Sequence, residues 1–197
     1  GDLNLMAIAY AVSTNEVNAA MGKICATPTA GSAGVVPGVL FAMVKKDPSI
    51  TEEQKIRFLF TSGAFGFVVA NNASISGAAG GCQAEIGSAS AMAAAALVEL
   101  AGGTPDMSAH AFAIAMKNML GLVCDPVAGL VEVPCVKRNA AGATNALTAA
   151  DMALAGIESR IPADEVIEAM YKIGLTMPSA LRETGRGGLA ATPTGER

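Results

Sequence analysis

Four cysteines, Cys25, Cys82, Cys124 and Cys135, stand out in a chain with one histidine. A thiolate binds soft metals and attacks electrophiles, and local charge sets how readily it forms. Cys82 follows Gly80-Gly81 just before an expected helix, and Cys135 follows Pro134, a residue suited to opening one. Unpaired N–H groups and the dipole at such helix starts favour a thiolate. Cys124 lies between an expected helix stop at Gly121 and the turn at Asp125-Pro126. The separations, 42 residues from Cys82 to Cys124 and 11 from Cys124 to Cys135, match neither the CxxC pairs of zinc sites nor the common ferredoxin spacings. Spacing alone leaves packing, a metal, a cluster and a catalytic thiol open.

Other polar residues collect in three loops, Thr27 to Gly34, Asn71 to Glu85 and Cys124 to Asn145, each with a cysteine in it or beside it. Thr27, Thr29, Gly31, Ser32 and Gly34 offer hydroxyls and approachable backbone N–H groups suited to a carboxylate. Lys137 and Arg138 are cations close to Cys135 in a chain poor in charge. Asn71, Asn72, Ser74 and Ser76 serve equally well as ligand contacts or as helix caps. His110 falls inside a helix, where a structural role is expected.

These groups must be positioned by an apolar scaffold. Of 197 residues, 52% are hydrophobic, 15% charged and 4% aromatic, with a net charge of −4. Such a chain has enough surface to bury for folding and carries no basic footprint for nucleic acid. Mean hydropathy is +0.45, and 27 residues between Arg57 and Glu85 carry no charge. That stretch is interrupted by Asn71-Asn72 and by glycines, and much of the remainder is alanine, so a membrane bundle is set aside. The start, Gly1-Asp2-Leu3-Asn4, has no secretory pattern, and a cytoplasmic protein with reduced thiols is expected.

Helical periodicity dominates and no alternating segment reads as a strand, which predicts an all-α bundle, one domain over residues 1–197. Helices are expected from Leu3 to Met21, up to Lys45-Lys46, from the capping box Thr51-Glu52-Glu53-Gln54 toward Val69, over Glu85 to Leu100, from Thr104-Pro105 to near Gly121, from Pro134 to Ala155, and from Pro162 to Gly174. The helix holding Phe58-Leu59-Phe60 and Phe65-Gly66-Phe67 is apolar all round, which predicts a central position. The tail after Pro178 reads as irregular.

Three segments carry a family resemblance. Gly80-Gly81-Cys82-Gln83-Ala84-Glu85-Ile86-Gly87-Ser88-Ala89-Ser90, and the run from Gly121 through Cys124-Asp125-Pro126 and Pro134-Cys135 to Asn139, resemble the cluster-binding segments of iron–sulfur L-serine dehydratases. Ala26-Thr27-Pro28-Thr29-Ala30-Gly31-Ser32-Ala33-Gly34 is similar to that family's substrate loop. The resemblance covers essentially the whole chain.

It implies the helical α part of a lyase that deaminates L-serine to pyruvate and ammonia. The implied cofactor is a [4Fe–4S] cluster on Cys82, Cys124 and Cys135 with one iron open to substrate, and Cys25 falls outside the ligand positions. The implied substrate contacts are Thr27, Thr29, Gly31, Ser32 and Gly34, with Lys137 chosen as a cation facing substrate or cluster. No Schiff-base lysine is needed, so pyridoxal phosphate is not implied. The family's α part begins earlier and works with a β chain or β domain, so the chain is expected to be a portion of the enzyme, acting within a homo-oligomer. The reading from another class is a non-catalytic helical module with a structural zinc or redox-sensing cysteines.

Overall fold

The computed structural model describes residues 1–197. Eight helices form the scaffold: α1 (Asp2–Ala19), α2 (Val35–Lys46), α3 (Glu52–Asn72), the single turn α4 (Gly77–Gly80), α5 (Ser88–Leu100), α6 (Pro105–Asn118), α7 (Cys135–Leu154) and α8 (Ala163–Thr176). No strand is present, only an isolated bridge between Cys124 and Arg182. The all-α expectation holds. No helix is long and apolar enough to cross a membrane.

The central element is α5, packed against α3, α6 and α7, with α2 also in contact. Every residue from Ser88 to Val98 is buried. Alanine and serine make this possible, because small side chains let neighbouring backbones approach on all sides. The same device joins α2 to α1, where a Cβ on Gly38 would stand 2.9 Å from the Cα of Ala11. Gly38 is thus confined to glycine by close approach. α1 also packs along α7, while α8 covers α6 and α4.

The helix predicted at the centre is peripheral instead. α3 turns Phe58, Ser62, Gly66 and Val69 inward at helical spacing, whereas Phe60 is 76% and Phe67 70% exposed. Bulky side chains on every face cannot all be covered by single-layer packing, and the alanine-rich α5 takes the central place. Apolarity therefore misidentified the middle of the bundle.

Local signals placed the helix ends well. The Thr51 hydroxyl accepts from the Gln54 N–H while Gln54 Oε1 accepts from the Thr51 N–H, the reciprocal capping box. Thr104 Oγ1 accepts from the Met107 N–H, with Pro105 in the first turn of α6. The tail after Pro178 holds two short 3₁₀ turns, Ser179–Leu181 and Gly188–Ala191, and packs back onto the Cys124 segment.

Candidate functional site

Each of the three cysteines of the candidate site sits where a different segment enters or leaves the bundle. Cys82 precedes a π-helical turn, Gln83–Gly87, that leads directly into α5. Buried Gln83 anchors this turn: its side-chain amide donates to the carbonyls of Gly80 and Met170, both at 2.9 Å, and accepts from the Gly121 N–H at 2.9 Å. The Gln83 N–H donates to the Leu122 carbonyl at 2.9 Å. One side chain thus fixes the Cys82 turn against α8 and against the segment that leads to Cys124.

Cys124 is held from the other side by the tail. Its N–H donates to the Leu181 carbonyl at 2.9 Å, and its carbonyl accepts from the Glu183 N–H at 2.7 Å. Cys135 opens α7, immediately after Pro134. All three thiols are buried and free, while Cys25 is free and exposed.

The sulfurs of Cys82 and Cys124 face one another, and their contact divides the charge unequally. Hydrogen bonding from Cys124 draws the Cys82 thiol below its ordinary range, helped by the Arg138 guanidinium, against the opposing effect of burial. The same contact, with burial and the Cys82 charge, pushes Cys124 up. Burial, followed by the charges of Cys82 and Glu85, pushes Cys135 up to about 11. The contact therefore disfavours ionisation of both thiols at once. Full deprotonation of three neighbouring thiols requires a positive centre among them.

Arg138 supplies part of that positive charge. It lies 2.9 Å from Asp125 Oδ1 and donates to the Val123 carbonyl at 2.8 Å, with only 17% of its side chain and 4% of that of Asp125 exposed. Asp125 Oδ2 in turn accepts from the Leu189 N–H at 2.7 Å. The pair links α7, the Cys124 segment and the tail. Of the two adjacent cations, Arg138 points into the structure and Lys137 is exposed in the first turn of α7.

The loop from Thr27 to Gly34 lies against the same region. Ser32 is fully buried, and its hydroxyl approaches Thr29 Oγ1 at 3.0 Å and the Thr27 carbonyl at 3.2 Å. It closes a capping box on the short turn Ala30–Ser32. Asn139, also fully buried, clamps this turn to α7, donating to the Gly31 carbonyl at 2.8 Å and accepting from the Gly34 N–H at 3.0 Å. Thr27 Oγ1 is buried without a hydrogen-bond partner. The peptides Thr27–Pro28 and Val133–Pro134 are both cis.

Glu85 occupies the seam between loop and cysteines. A Cβ on Gly31 would stand 3.0 Å from Glu85 Oε2, and one on Gly77 would stand 3.1 Å from the same oxygen and 2.9 Å from Cys124 Sγ. Burial, then the neighbouring Glu183 carboxylate, pushes Glu85 up, while hydrogen bonds from Thr29 and from the Gly77 backbone act the other way.

Several polar candidates lie in other roles. The Asn71 and Asn72 amides donate to the carbonyls of Phe67 and Val68 on the α3 surface, and Ser74 accepts from the Ser76 N–H. His110, within α6, accepts through Nδ1 from the Ser159 N–H at 3.2 Å. Sequence reasoning missed Gln83, Asp125, Asn139 and Glu85. The one available signal was that each stands within four residues of a cysteine.

The serine dehydratase alpha chain family matches residues 1–190. The chain is 80% identical over 195 residues to the probable L-serine dehydratase, alpha chain, of Bacillus subtilis (strain 168), covering 99% of this chain and 65% of that protein. It is 68% identical over 194 residues to the protein of the same name from Latilactobacillus sakei, covering 98% and 92% respectively. The L-serine dehydratase of Streptomyces coelicolor is 47% identical over 182 residues, 92% of this chain but 40% of that longer protein. The chain belongs to the serine dehydratase alpha chain family.

Proposed function

We propose that this chain is the part of an L-serine dehydratase that carries the cofactor and half of the substrate site, converting L-serine to pyruvate and ammonia together with a β chain or β domain. The observation that carries the reading is three buried, free thiols beside the Thr27–Gly34 loop, with Cys82 against Cys124 and the Cys82 charge felt at Cys135. Relatives named as probable L-serine dehydratase alpha chains support L-serine as the substrate and a dehydratase as the class.

Cys82, Cys124 and Cys135 are the residues that would hold a [4Fe–4S] cluster. The donor set fits: it is all sulfur, it is shielded from water, and it has a guanidinium at its edge. No trio of His, Cys, Asp or Glu side chains converges as a single metal ion requires. When bound, the cluster supplies Lewis acidity to the departing β-hydroxyl.

The chain's own residues position and enclose the substrate. Thr27, Thr29 and the backbone N–H groups around Gly31 form the anion-binding side, with Ser32 and the Gly34 N–H fixing the loop's shape. Lys137, exposed in the first turn of α7, is the further cation of this reading. Proton removal from Cα and loss of the hydroxyl give aminoacrylate, which tautomerises and hydrolyses to pyruvate and ammonia in water.

The test is anaerobic reconstitution of the chain, alone and with its β partner, followed by iron and sulfide analysis and a pyruvate assay. Bound iron and sulfide, with serine turnover that rises strongly on adding the partner, is the expected result. Absence of cluster in both preparations, or stoichiometric zinc instead, overturns the reading.

A further inference from the structure

Glu85 is a half-buried acid at this site to which neither the cysteine set nor the loop assigns a task. It belongs to the π-helical turn after Cys82, and its carboxylate reaches the seam where Gly31 and Gly77 come together. Both glycines are in contact range of the same oxygen, Oε2, so a side chain at either position would crowd it. The Thr29 side chain and the Gly77 backbone lie close enough to favour its charged form. The carboxylate is therefore held in place from two sides, by the loop and by α4.

It lacks a cation. The ion pairs of the structure join Lys55 to Glu52, Arg57 to Glu99, His110 to Asp106, Arg138 to Asp125 and Lys172 to Glu168, and none includes Glu85. Its charged neighbour is another acid, Glu183. Of the cations in this region, Arg138 is taken up by Asp125 and the Val123 carbonyl, while Arg182 reaches the Ala79 carbonyl only at 3.5 Å, leaves its Nε without a partner and forms an ion pair with no acid. A half-buried carboxylate paired with no cation is unfavourable unless a ligand brings one.

An α-amino acid presents a carboxylate and an ammonium on one carbon. The loop beside Glu85 supplies the anion-binding half, and Glu85 supplies the complementary charge a side chain away. We propose that the Glu85 carboxylate binds the α-ammonium of the substrate and thereby selects α-amino acids over the corresponding hydroxy acids. This rests on the site reading of the preceding subsection and adds the substrate's second anchor to it. Selection follows because a hydroxy acid leaves the carboxylate without its cation, and sites that pair a specific polar group discriminate strongly against analogues that lack it.

The experiment uses the complete α–β enzyme, loaded anaerobically, with two unreactive probes: glycine, which keeps the ammonium, and glycolate, which replaces it with a hydroxyl. Calorimetric dissociation constants are measured for wild type and Glu85→Gln, with iron and sulfide content beside them. Loss of one charge-assisted contact is expected to weaken glycine binding roughly ten- to a hundredfold, while glycolate binding changes little and iron is retained. Equal weakening of both probes, no change in either, or loss of iron overturns the proposal. Wild-type enzyme that holds cluster and converts serine, beside an unaltered Glu85→Gln, overturns this proposal alone. Wild-type enzyme without cluster overturns the site reading and this proposal with it.

Discussion

The buried amide of Asn139 accepts the Gly34 N–H at 3.0 Å across 105 residues of chain, and the same side chain donates to the Gly31 carbonyl at 2.8 Å. It also donates to the carbonyl of Cys135 in its own helix, at 2.9 Å. A single residue therefore ties the Thr27–Gly34 loop to the helix start that carries Cys135. Asn139→Ala leaves the Gly34 N–H and the Gly31 carbonyl without partners inside the protein. A cost on the order of 1–3 kcal/mol is expected, read as a lower urea midpoint, together with a raised KM for serine in the α–β enzyme.

The three buried cysteines differ from the fourth in environment, and their substitution should separate them. Cys82→Ser, Cys124→Ser and Cys135→Ser are each expected to lower iron and sulfide retention after anaerobic reconstitution. Cys25 is exposed at the end of α1's connection to the loop, and Cys25→Ser should retain close to the wild-type amount. Iron loss in Cys25→Ser with retention in Cys135→Ser would contradict the ligand assignment.

The helix starts that present Cys82 and Cys135 were legible in the sequence, because Gly80-Gly81 and Pro134 are local signals. So were the caps at Thr51 and Thr104, whose partners stand three residues away. The contacts that turn three cysteines into a site were not. Gln83 reaches Met170, and Asn139 reaches Gly31, over separations of 87 and 108 residues; no periodicity encodes such pairs. The misplaced centre has a related cause. Hydrophobicity reports what a helix would bury, whereas the choice between α3 and α5 is made by side-chain size, which lets neighbours close around Ala91, Ala93, Ala94, Ala95 and Ala96.

Arg138 and Asp125 form a pair whose two members cannot be removed independently. Arg138→Met leaves the Asp125 carboxylate buried with only the Leu189 N–H beside it. Breaking one side of a buried pair typically costs about 3–5 kcal/mol. Removing the guanidinium also removes a charge that favours the Cys82 thiolate. Thermal unfolding should shift down, and the reconstituted cluster should be lost faster to a chelator. The double variant Arg138→Met, Asp125→Leu is expected to recover much of the stability but not the cluster lifetime.

Glu85 gives a pH signature in stability as well. Its folded-state pKa is raised, by burial first and Glu183 second, so over the interval above its ordinary value the folded chain holds a proton that the unfolded chain has released. Stability then falls as pH rises through that interval. Glu85→Gln, which imitates the protonated acid, should be more stable than wild type at neutral pH and converge with it in acid. Urea midpoints of the cofactor-free chain at about pH 3 and pH 7, below and well above the ordinary glutamate value, check the sign; a variant that is less stable at neutral pH contradicts it.

Ser32 lies in the loop that resembles the family's substrate loop and Lys137 is a cation two residues beyond Cys135, and their surroundings predict different phenotypes. Ser32 is fully buried, and its hydroxyl is engaged with Thr27 and Thr29. Ser32→Ala should therefore lower stability by about 1 kcal/mol, as expected for a typical intramolecular hydrogen bond, and weaken serine use through the altered loop. Lys137 is exposed and makes no hydrogen bond or ion pair within the chain, so Lys137→Met should leave the unfolding midpoint within roughly 0.5 kcal/mol of wild type. If it contacts the substrate carboxylate, kcat/KM for serine falls about ten- to a hundredfold at constant iron content. Wild-type kinetics in Lys137→Met would remove it from the site, and unchanged stability in Ser32→Ala would mean that the loop's shape is set by Asn139 alone.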